Sequence, residues 1–315
     1  MEVLKNESKA SVTHSKDLSI RGLFEKYRAK RFLFIQPGGN FGDYLIYAGA
    51  TKIAKEFEVN YFEVAYGKFL NTSLNGFDVA YIHGSGGFNP WWSGTPIKVL
   101  QRLLSSFKGI VIVGPSSFHA DSEFLHAWIK TAIETNTANR VILFARELPS
   151  FNFLVQNLAN PIEIGLDHDT ALNLTRNDFF KKQPKRKYPL TILREDKEGL
   201  KVDTESNFFV RIDPALYCRS FPHWLEVHDK AVEICSNRLH SAILGTVLGI
   251  PTTLLPNSYH KNRSVWEFSL QARGVQWAEK PLFQPSQNKF NRFFDQAMGR
   301  FSSKTRQRVL RLIGI

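Results

Sequence analysis

The stretch RFLFIQPGGNFGDYLI, residues 31–46, decides how the rest of the chain is read. Its first six residues are an apolar run with the length and flanks of a buried strand. Pro37, Gly38, Gly39, Asn40, Phe41, Gly42 and Asp43 then form a glycine-rich turn. Beyond it Leu45, Ile46, Ala50, Ile53, Ala54 and Phe57 recur at helical spacing. Strand, glycine turn and helix in that order open a doubly wound α/β layer. The turn puts backbone N–H groups at a helix N-terminus, which suits a phosphate, a carboxylate or a sugar hydroxyl. It is neither a Walker motif, since no Lys-Ser/Thr follows, nor a GxGxxG dinucleotide loop. Asp43 has two readings: it caps the helix, or it is a base for an acceptor hydroxyl.

Working outward, further strands are predicted at 61–65, 78–82, 109–113 and 140–144. Each ends near a turn with Gly, Ser or charged residues, and such loops carry ligands in parallel sheets. The basic segment KKQPKRK at 181–187 breaks the series. A second series follows, with strands at 188–193, 206–212 and 252–255. A helix lies around His223–Ala231, and another runs from Ser236-Asn237-Arg238-Leu239-His240 to Leu248. The expected architecture is α/β with two Rossmann-like lobes, 31–180 and 188–280. A flexible tail over 1–30 precedes them and a basic closing helix over 285–315 follows.

The bulk properties agree with a folded domain pair. The chain has 315 residues, 43% hydrophobic and 22% charged, close to globular averages. Two cysteines, Cys218 and Cys235, are too few for a disulfide scaffold or a cysteine-rich zinc site, and a reducing, cytoplasmic setting is expected. The longest apolar stretch, 243–255, is cut by Gly249 and Pro251 and falls short of the ~20 residues a spanning helix needs. Residues 1–21 lack the apolar core of a signal peptide.

A net charge of +12 favours an anionic partner. The cluster at 181–187 reads as a solvated linker. The C-terminal one, with Arg300, Lys304, Arg306, Arg308 and Arg311, lies on an amphipathic helix. Such a helix packs one face on the core or rests peripherally on an anionic membrane, here at the inner face. With no zinc finger, RNP strand or basic heptad array, nucleic acid is not an expected partner.

Three loops carry candidate chemistry. In HGSGGFNPWW, 83–92, the glycines allow close approach to a ligand. Asn89, Trp91 and Trp92 form a sugar-stacking platform or fill an interface. In SNRLHS, 236–241, Arg238 offers a planar fork for carboxylate or phosphate. His240 offers a proton near neutral pH. In NSYHKN, 257–262, Lys261 is a second cation beside Arg238 or a solvated surface lysine. Arg146 and Arg194, at the ends of predicted strands, bind an anion or form ion pairs at a lobe interface.

These segments resemble the polysaccharide pyruvyl transferase family. The likeness rests on GGNFGDYLI (38–46), GSGGFN (84–89), ARELPSFNFL (145–154), GLDHDTAL (165–172), ILRED (192–196) and, most specifically, SNRLHSAILGTVLGIPTTLLPNSYHKN (236–262). Asn237 stands where the family commonly has Asp, a carboxylate that could orient Arg238. The resemblance implies a GT-B-type architecture and transfer of pyruvate from phosphoenolpyruvate to two hydroxyls of a sugar, as a cyclic ketal. The acceptor it implies is a glycan or lipid-linked oligosaccharide of exopolysaccharide, capsule or cell wall, at the cytoplasmic membrane face. It implies His240 as general acid, Asp43 as acceptor-side base, and Arg238, Arg194, Arg146 and Lys261 as donor-binding cations. Asn40, Asn89 and Trp91 would meet the acceptor. Phosphoenolpyruvate is a co-substrate, and neither metal nor resident cofactor is called for. The rival enzyme reading is a nucleotide-sugar glycosyltransferase on the same architecture, and fold alone does not separate the two. A non-catalytic anion- or membrane-binding protein is the other rival.

Overall fold

The computed structural model describes residues 18–89, 91, 94–119, 125, 128, 134–158, 162–199, 210–280, 305 and 308–310. Contacts divide the chain into two units. One holds residues up to Gly38 and Ala54–Asp167, the other Gly39–Ile53 and everything from His168.

The first unit is built on a six-stranded parallel sheet: β1 (Phe32–Gln36), β2 (Tyr61–Ala65), β3 (Val79–Ile82), β4 (Ile110–Ser116), β5 (Arg140–Ala145) and β6 (Ile162–Leu166). The strand order is β2-β1-β3-β4-β5-β6, and every pairing is parallel. The apolar runs of β1, β3, β4 and β5 are buried almost throughout. That is the signature of strands covered on both faces. Helices α3 (Tyr66–Phe69), α4 (Thr95–Ser106) and α5 (Leu148–Asn157) follow β2, β3 and β5. Leu100, Leu103 and Leu104 of α4 and Phe153 and Leu154 of α5 pack against Leu33, Ile35, Val111 and Val113.

The second unit has a five-stranded parallel sheet: β7 (Tyr188–Ile192), β8 (Val210–Ile212), β9 (Ala231–Ser236), β10 (Thr252–Leu254) and β11 (Gln276–Trp277). Its order is β11-β10-β9-β7-β8. The short α6 (Pro214–Tyr217), then α7 (Phe221–Asp229), α8 (Leu239–Val247) and α9 (Lys261–Val265) connect the strands. Proline occupies the first turn of α6 and of α7, where a missing N–H costs nothing, and Asp213 and Ser220 cap them. Cys218 and Cys235 are buried free thiols in this unit. Both sheets fit a Rossmann-like α/β fold.

Three features depart from the sequence reading. Residues 20–27, expected within a tail, form helix α1, capped by Ser19. Its Ile20, Leu23, Phe24 and Tyr27 sit at i, i+3, i+4 and i+7 and are buried. Strand β6 escaped notice because IEIGL interrupts its apolar run with Glu163 and Gly165. Most consequentially, helix α2 (Phe41–Glu56) directly follows β1 in sequence, yet its residues 41–53 group with the second unit. The reason is packing. Leu45 joins the core of Leu190, Ile192 and Leu239. Thr170 Oγ1 donates to Ile46 O over 2.9 Å. Gly49 lies so close to the 170–171 backbone that a Cβ there would come within 2.0 Å of Thr170 O.

Trp92 and most of the segment 285–315, expected as a closing helix, lie outside the described residues, as do residues 1–17 of the expected tail. Of the C-terminal segment, Leu310 is buried in the second unit's core. Among the described residues no helix is long and apolar enough to cross a membrane.

Candidate functional site

In a parallel sheet, ligands collect beyond the carboxyl ends of the strands where the strand order reverses. In the second unit that point lies between β7 and β9. Their register pairs Ile192 with Ser236, so Arg194 and Arg238 each stand two residues beyond the last pair. Asn237 ties the two loops. Its N–H donates to Ile192 O (3.1 Å), and its Oδ1 accepts from Arg194 N (2.7 Å). The loop after β10 joins them, because Asn262 Nδ2 donates to both Asn237 O and Leu255 O at 2.9 Å. This places Lys261 with the two arginines.

The three cations do not stand alone. Arg238 Nε and Nη2 donate to the two oxygens of Asp213 at 2.5 and 2.6 Å, a bidentate fork, and Nη2 also reaches Asp196 Oδ2 at 2.9 Å. Arg194 Nη2 bonds Asp196 Oδ2 at 2.9 Å, its Nε lies 2.9 Å from Oδ1, and its Nη1 bonds Glu198 Oε2 at 2.6 Å. The Lys261 ammonium bonds the same Glu198 oxygen. Burial acts to raise the Asp196 carboxyl, but the Arg194 hydrogen bond and charge, with the Arg238 charge, outweigh it and hold it below its ordinary value. Burial likewise acts to lower Arg238, and Asp213 and Asp196 overcome it. Asp213, which sequence reading missed, supplies the carboxylate that Asn237 lacks. Its only sequence signal is the Asp-Pro pair that starts α6.

The second cluster lies at the N-terminus of α2. Gly38 and Gly39 have φ of 92° and 135°, which favours glycine. Asn40 Oδ1 accepts from Gly42 N (2.8 Å), and Asp43 Oδ2 accepts from Asn40 N (2.8 Å), a reciprocal cap. Asp43 therefore has a capping role. His240, on the first turn of α8, packs against this turn. A Cβ on Gly42 would fall 2.5 Å from its Nδ1. On its other edge, His240 Nε2 lies 3.4 Å from Oδ2 of fully buried Asp169. Asp169 Oδ1 accepts from Ala171 N (3.0 Å), which fixes the carboxylate. Asp169 belongs to the GLDHDTAL segment, but no sequence pattern marked it as a partner of His240. Asn40, Asp43, Asp169 and His240 form one neighbourhood, and Arg238 is the residue that precedes α8.

The remaining candidates lie in the first unit. Arg146 is fully buried, with Nε on Ser117 Oγ at 2.9 Å. Asn89 is buried too. Its Nδ2 donates to Gly86 O (2.6 Å), and its Oδ1 accepts from Trp91 N (3.0 Å), bracing its own loop. The Trp91 ring stands edge-on to His119 at 4.7 Å.

Comparison with known proteins bears on family and fold. No curated protein matches the chain. Among solved structures, a functionally uncharacterized protein from Klebsiella pneumoniae subsp. pneumoniae NTUH-K2044 superimposes with a TM-score of 0.60 at 20% identity, covering 82% of this chain and 96% of that one. That likeness speaks for the fold. The sequence model of the polysaccharide pyruvyl transferase family matches residues 40–259, a span that holds Asn40, Asp43, Arg194, Arg238 and His240. The chain belongs to the polysaccharide pyruvyl transferase family.

Proposed function

We propose that the protein transfers pyruvate from phosphoenolpyruvate to two hydroxyls of one sugar in a glycan or lipid-linked oligosaccharide, forming a cyclic ketal. Family membership implies transferase chemistry on a polysaccharide acceptor. The observation that carries the finer reading is the adjacency of His240, backed by Asp169, to a loop bearing Arg238, with Arg194 and Lys261 close by. The two parallel sheets are of the kind from which GT-B-type enzymes are built.

The chemistry balances within such a site. The enol C3 takes a proton and leaves a cationic C2. One acceptor oxygen bonds C2, the C2–O bond to phosphate breaks, and the second oxygen closes the ring. Of the two hydroxyl protons released, one is made up at C3 and the other leaves with phosphate. An imidazole exchanges protons near neutral pH and is suited to either transfer. Asp169 faces the ring at Nε2. The Arg and Lys side chains receive the donor's carboxylate and phosphate, and no metal is needed for these steps. Asn40 lies on the glycine turn whose Gly42 abuts His240 and is the acceptor-side contact, and Asp43 on the same turn is the base. Arg146 remains a donor-side candidate and Asn89 and Trp91 acceptor-side ones, each with its described contacts in the first unit.

Calorimetric titration of phosphoenolpyruvate, with turnover followed as released phosphate, tests the proposal. The wild type should bind. His240→Ala should bind within a few-fold, yet turn over about 10²–10⁴-fold more slowly. Failure of the wild type to bind, with candidate glycans present as well as absent, would overturn it. Thermal protection by a nucleoside diphosphate sugar would then favour glycosyl transfer.

A further inference from the structure

Among the described residues, three carboxylates pair with three cations in this cluster of the second unit, and these six charges cancel. The carboxylates are not equivalent. Asp213 and Glu198 are sealed, with side-chain exposures of 1% and 3%, whereas Asp196 is 25% exposed. Asp213 is also tied to the backbone, accepting from Glu195 N (3.0 Å) and Ala215 N (3.2 Å) besides the Arg238 fork. Glu198 bridges Arg194 and Lys261. Neither can leave without stranding a buried cation, which is costly. Asp196 sits on the turn after β7, closed by Gly199 N on Asp196 O (2.8 Å) and by Glu198 N on Asp196 Oδ1 (3.1 Å). It spans both arginines, with one oxygen shared between Arg194 and Arg238.

We infer that Asp196 is a resident anion of the donor site. Its carboxylate occupies on Arg194 and Arg238 the place that the donor's carboxylate takes, so the donor binds by exchanging one carboxylate for the other. The inference rests on the donor reading given above. The electrostatics require an exchange rather than an addition. A multiply charged donor gains no net attraction from a neutral cluster, and its carboxylate would lie against three others. Once Asp196 swings out, the cluster carries one positive charge, and its guanidinium edges match a planar carboxylate. Selectivity follows. A ligand with a single carboxylate merely replaces Asp196 like for like. A ligand that adds a phosphate brings a second set of charge-assisted contacts and wins the exchange. Asp196 thus screens the site against pyruvate and similar small carboxylates.

Phosphoenolpyruvate, pyruvate and inorganic phosphate titrated into wild type, Asp196→Asn, Asp196→Ser and Asp196→Glu test this, with melting temperatures measured alongside. The Asn and Ser variants should bind phosphoenolpyruvate about tenfold tighter, since one charge-assisted competitor is gone. They should also take up pyruvate, which the wild type should reject. Asp196→Glu, which restores the anion, should stay close to wild type. Weaker or unchanged binding in the folded Asn or Ser variant, while the wild type binds phosphoenolpyruvate, would overturn the resident-anion role and leave the donor reading standing. Silence of all three ligands in every protein would overturn both. Gain of phosphate and pyruvate binding without any phosphoenolpyruvate binding would keep the resident anion and overturn the donor reading.

Discussion

Arg146 and Arg238 occupy comparable places, each just past the end of a parallel strand, one in each unit. Their surroundings differ. Arg146 is wholly enclosed, and its Nε is held by a serine hydroxyl within a mesh of Ser85, Ser116 and Ser117. Arg238 keeps some solvent contact and is held by a buried aspartate and a half-exposed one. Position at a strand end makes an arginine a candidate ligand-binder. The charge and mobility of what already holds it decide whether an incoming anion has something to displace. A serine mesh offers a structural brace. A cluster with one exposed carboxylate offers an exchangeable place.

The largest effect expected from this contrast is on stability. Asp213→Ala removes both acceptors of a buried guanidinium fork and should cost about 3–5 kcal/mol, the range for breaking a buried ion pair by deleting one partner. Donor binding should go with it, because Arg238 loses its orientation. Ser117→Ala in the first unit removes one neutral hydroxyl and should cost only about 1 kcal/mol. Urea unfolding of both variants measures the difference. Equal costs would mean that the Arg238 pair is no more integral than the serine mesh.

How much of this could be read in the sequence differs between elements for physical reasons. The strands β1, β3, β4 and β5 are buried on both faces and announce themselves as apolar runs. Helix α1 hides, because its four buried residues are diluted by Arg21, Glu25 and Lys26. Membership of α2 in the second unit has no local signal at all. It depends on Gly49 meeting the Thr170 backbone, a contact between residues far apart in sequence. At the site, the Arg-Leu-His block marked Arg238 and His240. Two carboxylates that pair with them, Asp213 and Asp169, come from just after β8 and from the segment after β6, and only strand register brings Asp213 beside Arg238. Spacing shows a residue's type. It does not show that a cation is already neutralised.

A smaller effect, confined to chemistry, should come from the glycine turn. Gly42→Ala puts a methyl group where the His240 ring now lies, within 2.5 Å of Nδ1. The ring must rotate or withdraw, and displacement of a reacting group by about an ångström costs on the order of 10²-fold in rate. Position 42 is helical and lacks a positive φ, so the local backbone accepts an alanine, although His240 Cβ, 2.7 Å from the added methyl, must also yield. The expected result is a fall in kcat larger than the accompanying loss of melting temperature accounts for. If kcat were unchanged, His240 would not be the proton-transfer group, because its position would not matter. The matching change at Gly39 would be less informative, since its φ of 135° adds backbone strain to any clash.

The smallest expected effect again sets one unit against the other, through two buried histidines. His83 in the first unit bonds Glu63 at 2.8 Å. Burial pulls its pKa down, and the glutamate partly offsets that. His228 in the second unit meets no carboxylate among the described residues. Its Nδ1 donates to Trp224 O at 2.7 Å, and burial drives its pKa down to about 4. A histidine kept neutral when folded stays so while the unfolded chain takes up a proton below about pH 6.5, the ordinary value. The unfolded state then binds more protons, so stability present above that pH is lost as pH falls toward 4. At pH 5.5 the wild type should have lost about 1.4 kcal/mol through His228 relative to pH 7.5, one unit below the unfolded value. His228→Asn keeps a donor for Trp224 O and removes the titration, so its stability should fall less steeply over that interval. A His83→Asn variant should flatten the curve by a smaller amount, because Glu63 already supports the charged ring. Parallel curves for His228→Asn and wild type would show that the second unit admits the imidazolium. Its core around α7 would then be less closed than the burial of Trp224 and His228 implies.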